Sequence, residues 1–244
     1  MADAWMPGAG CVQAGADGGE LRGGAPRVVW QTLETDPRLV SAWSAAEFLE
    51  RLGRSPHLVW NPLSGEIVQL IPILRAGRGL GGPGGLVAAG PCAPCDTAAV
   101  NREGRLCVQI GVISFARDPF TSGPVAGHDL ILTWLDTWRI PRTWPAGPPA
   151  PFSPAHSEPR SRRLWARGGH FGGSQVPDCF ATGPGAIEIE RLTEPATELA
   201  IEIRRARDFP APRLDKATVR GAAQIHLGRR HEQEDADAQL TSTA

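Results

Sequence analysis

The chain has no tyrosine, and Lys216 is the only lysine among its 25 basic residues. The first absence excludes a phenol as general acid, and the second leaves lysine-based chemistry one candidate. No stretch reaches the ~18 consecutive apolar residues that suggest a membrane-crossing helix. Charge of one sign is missing too: 25 basic and 26 acidic residues leave a net charge of −1. That balance excludes a general attraction to nucleic acid or to an anionic membrane, so neither is expected as a partner. The start, Met1 to Gly19, lacks a basic segment followed by a continuous apolar one. A secretory signal is therefore not expected, and a cytoplasmic location is. The five cysteines, Cys11, Cys92, Cys95, Cys107 and Cys179, then read as mostly reduced thiols. The preference for arginine over lysine fits a GC-rich genome such as an actinobacterium's and says little about function.

What is present reads as one domain with appendages. Residues 1–26 are rich in Gly and Ala and predict an irregular lead-in. Arg27 to Thr32 is apolar and β-branched, as a buried strand requires. Ala42, Ala45, Ala46, Phe48, Leu49 and Leu52 recur at helical spacing, with Ser41 as N-cap and Gly53 as stop. His57 to Asn61 and Glu66 to Ile71 flank Pro62-Leu63-Ser64-Gly65 and predict a hairpin. Gly77 to Gly90 predicts a loop, Arg105 to Phe115 a central strand, and His128 to Trp138 a helix. Residues 140–160 hold too many prolines for regular structure. Ala186 to Leu192 predicts a short element and Ala196 to Ala206 a helix. The domain thus spans 27–206, and the polar residues 207–244 predict a mobile tail. The order of strands and helices argues for an α/β fold with a mixed central sheet flanked by helices and long Gly/Pro-rich loops.

The stretch Gly169 to Gly185 carries the most specific signal. It holds Gly169-His170-Phe171-Gly172-Gly173-Ser174-Gln175-Val176-Pro177-Asp178-Cys179, then Gly183-Pro184-Gly185. This frame resembles that of the N-acetylmuramoyl-L-alanine amidase and peptidoglycan-recognition superfamily. The resemblance covers roughly residues 5–192. Trp5 to Ala9 resembles the opening of actinobacterial amidase-like proteins, and Val28 to Thr32 resembles their strand carrying the first zinc ligand. Pro56 to Val59 and Gly65 to Pro72 are similar to the family hairpin. Arg75-Ala76-Gly77 resembles its His-Ala-Gly segment, and Val108 to Val112 the strand that bears an assisting glutamate. By that correspondence the three zinc-ligand positions read Gln31, Gly173 and Gly183. The assisting carboxylate reads Gly111, and the Asn and His of the final turn read Cys179 and Ala181.

A catalytic zinc needs three protein ligands and an open position for water. Glycine supplies no side-chain donor, and glutamine is a weak ligand beside imidazole or carboxylate. The resemblance thus implies an amidase-like fold with no metal, no cofactor and no zinc-dependent hydrolysis. Three side chains replaced by glycine predict an enlarged pocket walled by Trp30, Gln31, His57, Trp60, Gly111, Phe171, Gly173 and Gly183. Such a pocket suits a small organic molecule, with cyclisation or rearrangement in specialised metabolism as the reaction. The alternative is a non-catalytic module that recognises a peptidoglycan fragment or a protein. A third reading is a hydrolase with Cys179 as nucleophile, His170 as base and Asp178 as orienting acid.

Other features have plainer readings. Cys92-Ala93-Pro94-Cys95 lacks the further ligands of a zinc site and reads as a loop dithiol or local disulfide. The glycine run from Gly77 lacks the Lys-Ser/Thr of a nucleotide loop. The basic run Arg160 to Arg167 predicts a solvated strand edge.

Overall fold

Six consecutive buried residues, Arg27–Thr32, form β2, the strand on which the sheet is built. The computed structural model describes residues 2–80, 98–152, 160–179, 181 and 183–194. The expected helix Ala196 to Ala206, the expected tail, and Cys92 and Cys95 lie outside them. The other strands are β1 (Gly10–Cys11), β3 (Leu58–Trp60), β4 (Ile67–Gln69), β5 (Cys107–Val112) and β6 (Gly169–Gly172). Their order is β1-β4-β3-β5-β2-β6. The β3–β4 hairpin is antiparallel and every other pairing is parallel, so the sheet is mixed. Central parallel strands are covered on both faces, and this is why Val28, Val29 and Trp30 of β2 run apolar without alternation.

Register assigns the faces. Trp30 lies beside Ile110, and Leu58 beside Ile110 from the other side. With Val28, Trp60, Val108 and Val112 these residues form one buried face. It is covered by α3 (His128–Thr137) through Ile131, Leu132, Trp134 and Leu135. The opposite face carries Val29, Val59, Val68 and Phe171. There α1 (Ala42–Arg51) packs through Ala42, Ala46 and Leu49. Ser41 caps α1 by accepting a hydrogen bond from the backbone N–H of Ser44, as its sequence position predicts. Gly65 closes the hairpin with φ of +79°, a conformation glycine adopts without steric cost. Three short helices, α2 (Ala98–Asn101), α4 (Arg162–Trp165) and α5 (Glu190–Thr193), lie in the connections. The fold is α/β, a mixed central sheet flanked by helices. No helix among the described residues is long and apolar enough to cross a membrane.

Two segments depart from expectation. The lead-in is not wholly irregular: Gly10–Cys11 adds an edge strand parallel to β4. Its glycine permits this, because a Cβ at position 10 would meet the Trp43 ring at 2.6 Å. Gln69 then sews the preceding residues down. Its Oε1 accepts from Met6 N–H at 2.6 Å, and its Nε2 donates to the carbonyls of Ala4 and Ile71 at 3.0 and 2.9 Å. The basic run forms α4 instead of a strand edge. Ser161 Oγ caps it from Leu164 N–H, and Trp165 buries while Arg162 faces outward.

Because Gln69 is buried and fully bonded, Gln69→Ala strands two carbonyls and an N–H. We expect a stability loss of about 1–3 kcal/mol, together with faster proteolysis within the first 25 or so residues. Chemical denaturation and limited proteolysis check this, and an unchanged cleavage pattern would contradict it.

Candidate functional site

Strand pairing brings Gln31, Gly111 and Gly173, three positions that the motif resemblance singles out, together. Gln31 lies beside Gly111 across the β2–β5 pairing. On the other side, Gly172 ends β6 beside Trp30, which places Gly173 next to Gln31. A Cβ at Gly173 would lie 3.0 Å from Gln31 Cγ, 3.1 Å from Ala181 Cβ and 2.9 Å from the carbonyl oxygen of Gly183. That carbonyl accepts the Ser174 N–H at 2.8 Å. At Gly183 a Cβ would land on Thr32 Oγ1 and lie 2.9 Å from Ala116 Cβ. At Gly111 it would lie 3.1 Å from Leu33 Cδ2. Gln31, Gly111, Gly173, Ala181 and Gly183 therefore form a closed ring at the C-terminal edge of β2.

The expected enlargement does not follow from the glycines. Leu33, Thr32, Ala116 and Ala181 lie where, or next to where, a Cβ at Gly111, Gly173 or Gly183 would stand. Gln31 is 2 % exposed. Neither its Oε1 nor its Nε2 has a hydrogen-bond partner, and Ser174 Oγ is likewise buried and unpartnered. An unpaired buried polar atom costs about 1–3 kcal/mol, so an orphaned carboxamide at this point demands a reason.

The other expected wall residues lie elsewhere. Trp30 and Trp60 point to the opposite face, with ring centroids 6.1 Å apart. Trp60 donates its Nε1–H to the Ala126 carbonyl at 2.8 Å. Phe171 shares the face of Gln31 but lies two positions back, beside Val29, and packs on Trp165 at 4.9 Å. His57 is a structural pin. Its Nδ1 accepts from Gln109 N–H at 3.0 Å, so the proton resides on Nε2, which donates to the Arg75 carbonyl at 2.9 Å. Complete burial lowers its pKa to about 4.

His170, Cys179 and Asp178 do not form a catalytic set. His170 Nδ1 accepts from Trp30 Nε1–H at 3.1 Å, on the α3 side of the sheet. Cys179 packs with Val29 and Phe171 on the other side. Asp178 is exposed and ion-paired to Arg162, which also bonds Glu103 at 2.7 Å. Their side chains lie on three different surfaces.

A zinc ion does not fit the residues present. Of the three positions only Gln31 offers a donor, and it is neutral. Among the described residues no group of three or more His, Cys, Asp or Glu side chains could hold a metal ion.

Three residues outside the expected set hold the ring. Gln175 Oε1 accepts from Trp144 Nε1–H at 2.8 Å and Gly172 N–H at 3.0 Å, and its Nε2 donates to the Gly147 carbonyl at 2.8 Å. Arg160 donates to the carbonyls of Val176 and Ala181 at 3.3 and 3.1 Å. Glu34, with φ of +50°, accepts from Thr32 Oγ1 at 2.6 Å and Ala116 N–H at 2.9 Å. Gln175 falls inside the motif stretch, just before Val176-Pro177, but nothing in its sequence context signals this role. Arg160 and Glu34 reach the ring through tertiary contacts that local pattern does not encode.

No protein-family model and no curated protein matches the chain. Two solved structures are similar. One is the endolysin N-acetylmuramoyl-L-alanine amidase LysCS from Clostridium intestinale, 12% identical, covering 78% of this chain and 95% of that one, with a TM-score of 0.41. The other is the Ph2119 endolysin from a Thermus scotoductus bacteriophage, 10% identical, covering 72% and 88%, with a TM-score of 0.38.

Two outcomes follow from this geometry. Gly173→Ala should destabilise the protein by about 1–3 kcal/mol, since its Cβ meets backbone that cannot rotate away; a neutral result in chemical denaturation would contradict the closed ring. The second concerns acid. Burial lowers His57 and His128 to about 4, and burial with the charges of His128 and Arg142 lowers His170 to about 3. Below pH 6.5 the unfolded chain takes up protons that the folded chain refuses, so stability falls as pH drops from 6.5 towards 4. Each fully shifted histidine contributes about 3 kcal/mol to that fall. Thermal melts from pH 7 to pH 4 should show it, and His57→Gln should flatten the slope; a melting temperature constant across this window would contradict it.

Proposed function

We propose that this protein is a zinc-free, amidase-like recognition module that binds a peptidoglycan fragment without cleaving it. One observation carries the loss of hydrolysis: Gly173 and the Gly183 carbonyl are in backbone contact, where two metal-binding side chains would need to diverge. Hydrolysis of an amide by this type of site needs a metal-bound water and a polarised carbonyl. Nothing in the ring supplies either, because Gln31 is neutral and Gly111 carries no carboxylate.

The ligand class rests on the motif resemblance. Val176-Pro177, Pro184-Gly185 and the hairpin from Gly65 to Pro72 keep the frame of proteins built around cell-wall peptides. The branch they most resemble is actinobacterial. The same frame without its donors is suited to binding, since recognition needs shape and a few hydrogen bonds while cleavage needs the metal. A pocket for a specialised metabolite would need open volume at the ring. The contacts of Leu33, Thr32 and Ala181 favour the recognition reading over it.

The test is a co-sedimentation assay with purified peptidoglycan sacculi, alongside metal analysis and a dye-release hydrolysis assay. We expect retention on sacculi, no dye release, and zinc below about a tenth of an equivalent per chain, as a site with one neutral donor predicts. Zinc near one equivalent with dye release would overturn the loss of catalysis. Failure to sediment would overturn the peptidoglycan assignment.

A further inference from the structure

Helix α1 turns small apolar residues inward and large ones outward. Ala42, Ala46 and Leu49 pack on the sheet. Phe48 and Leu52 belong to the same run of apolar residues at helical spacing, yet they are 45 % and 46 % exposed. Of the seven large hydrophobic side chains exposed among the described residues, four lie on α1 or beside its ends: Leu39, Trp43, Phe48 and Leu52. Trp43 has a partner within the chain, since its ring lies over Gly10 of β1. Phe48 and Leu52 face solvent together. A solvent-facing helix surface ordinarily carries polar residues, and apolar side chains gathered there mark an interaction surface.

The charges beside this seam indicate what covers it. At about 100° per residue, Ala45, Phe48 and Leu52 fall within an arc of about 60°. Glu47 and Arg51, both exposed, run along one flank of that arc. Glu50 is turned away from it and accepts the Gly15 N–H at 3.4 Å. Positions 47 and 51 are equidistant from position 49. A two-fold axis perpendicular to α1 and level with Leu49 therefore sets Glu47 of each copy opposite Arg51 of the other. The same operation brings position 52 level with position 46, so each Leu52 falls between Ala45 and Phe48 of the other copy. A face that complements itself under a two-fold is what an isologous dimer requires. A parallel pairing would set Glu47 against Glu47. An anionic lipid surface finds no basic excess here, since Arg51 is balanced by Glu47.

We propose that α1 is a dimerisation face whose partner is α1 of a second copy, packed antiparallel with reciprocal Glu47–Arg51 pairs beside a seam of Phe48 and Leu52. The apolar seam supplies the association, and the charge pairs fix its direction and register. One pair of short helices buries a small area, so the dimer forms and dissociates with concentration. This inference is independent of the peptidoglycan reading.

The test is sedimentation velocity of the full chain from about 5 to 500 µM, a range that brackets a weak dimer. The mass should rise from one chain to two. Phe48→Glu should remain a single chain throughout, with an unchanged melting temperature because the side chain lies outside the core. Glu47→Arg and Arg51→Glu should each weaken self-association at least about tenfold, because each sets like charges opposite one another. An equal mixture of those two variants should regain the wild-type association, since each then meets its opposite charge. A wild type that stays a single chain overturns the proposal, as does a dimer indifferent to Phe48→Glu. A mixture that fails to recover overturns it too, because a face built for a different partner has no need to complement itself. The charge variants and their mixture decide the matter even if Phe48→Glu does not fold.

Discussion

The close approach of Gly173 to the carbonyl of Gly183 is the contact on which the site depends. It requires a residue without Cβ at position 173, because any other would lie 2.9 Å from that oxygen. Once the two backbones meet, Ser174 N–H finds the Gly183 carbonyl, and Ala181 and Gln31 both close on Gly173. Parallel pairing of β5, β2 and β6 delivers the participants, since it sets Gln31 beside Gly111 and brings the chain out of β6 directly at Gly173. The ring lies at the C-terminal ends of these strands, which is where ligands bind in open α/β sheets.

The glycines of the ring face packed neighbours, not open space. Protein interiors keep near-crystalline packing density, and the volume beside each glycine is filled. Here it is filled from three directions: Leu33 over Gly111, Thr32 and Ala116 at Gly183, and the two loop backbones against each other. What could not be compensated is the polarity of Gln31. That residue sits on a central strand whose backbone is fixed by pairing on both sides, so it cannot swing out to water. The aromatic cluster of Trp30, Trp60, His128 and His170 on the other face is a packed core, with His170 oriented by the Trp30 indole.

Much of the fold was legible because its elements carry local signals. β2 has its β-branched run, α1 its Ser41 cap and apolar stripe, and the β3–β4 hairpin its Gly65 turn. β1 and β6 were not legible, since Gly10–Cys11 and Gly169–Gly172 are glycine-rich segments that become strands only by pairing with neighbours already in place. The ring itself could be inferred from the motif frame. The larger wall could not, although one part of the error was avoidable: Trp30 and Gln31 are adjacent in a strand, and adjacent strand residues point to opposite faces. The same alternation separates His170 from Phe171. Whether glycine opens or closes a cleft is a packing question that no spacing in the chain encodes.

On the proposed reading, backbone closure as well as the scarcity of donors keeps zinc out of the ring. Restoring all three donors in one variant, Gln31→His with Gly173→His and Gly183→Asp, separates the two causes. Metal analysis combined with thermal denaturation of that variant is the most direct measurement. Closure predicts a less stable protein that holds no stoichiometric zinc. A variant as stable as the parent chain and carrying one equivalent of zinc would show that the ring opens freely and would contradict it.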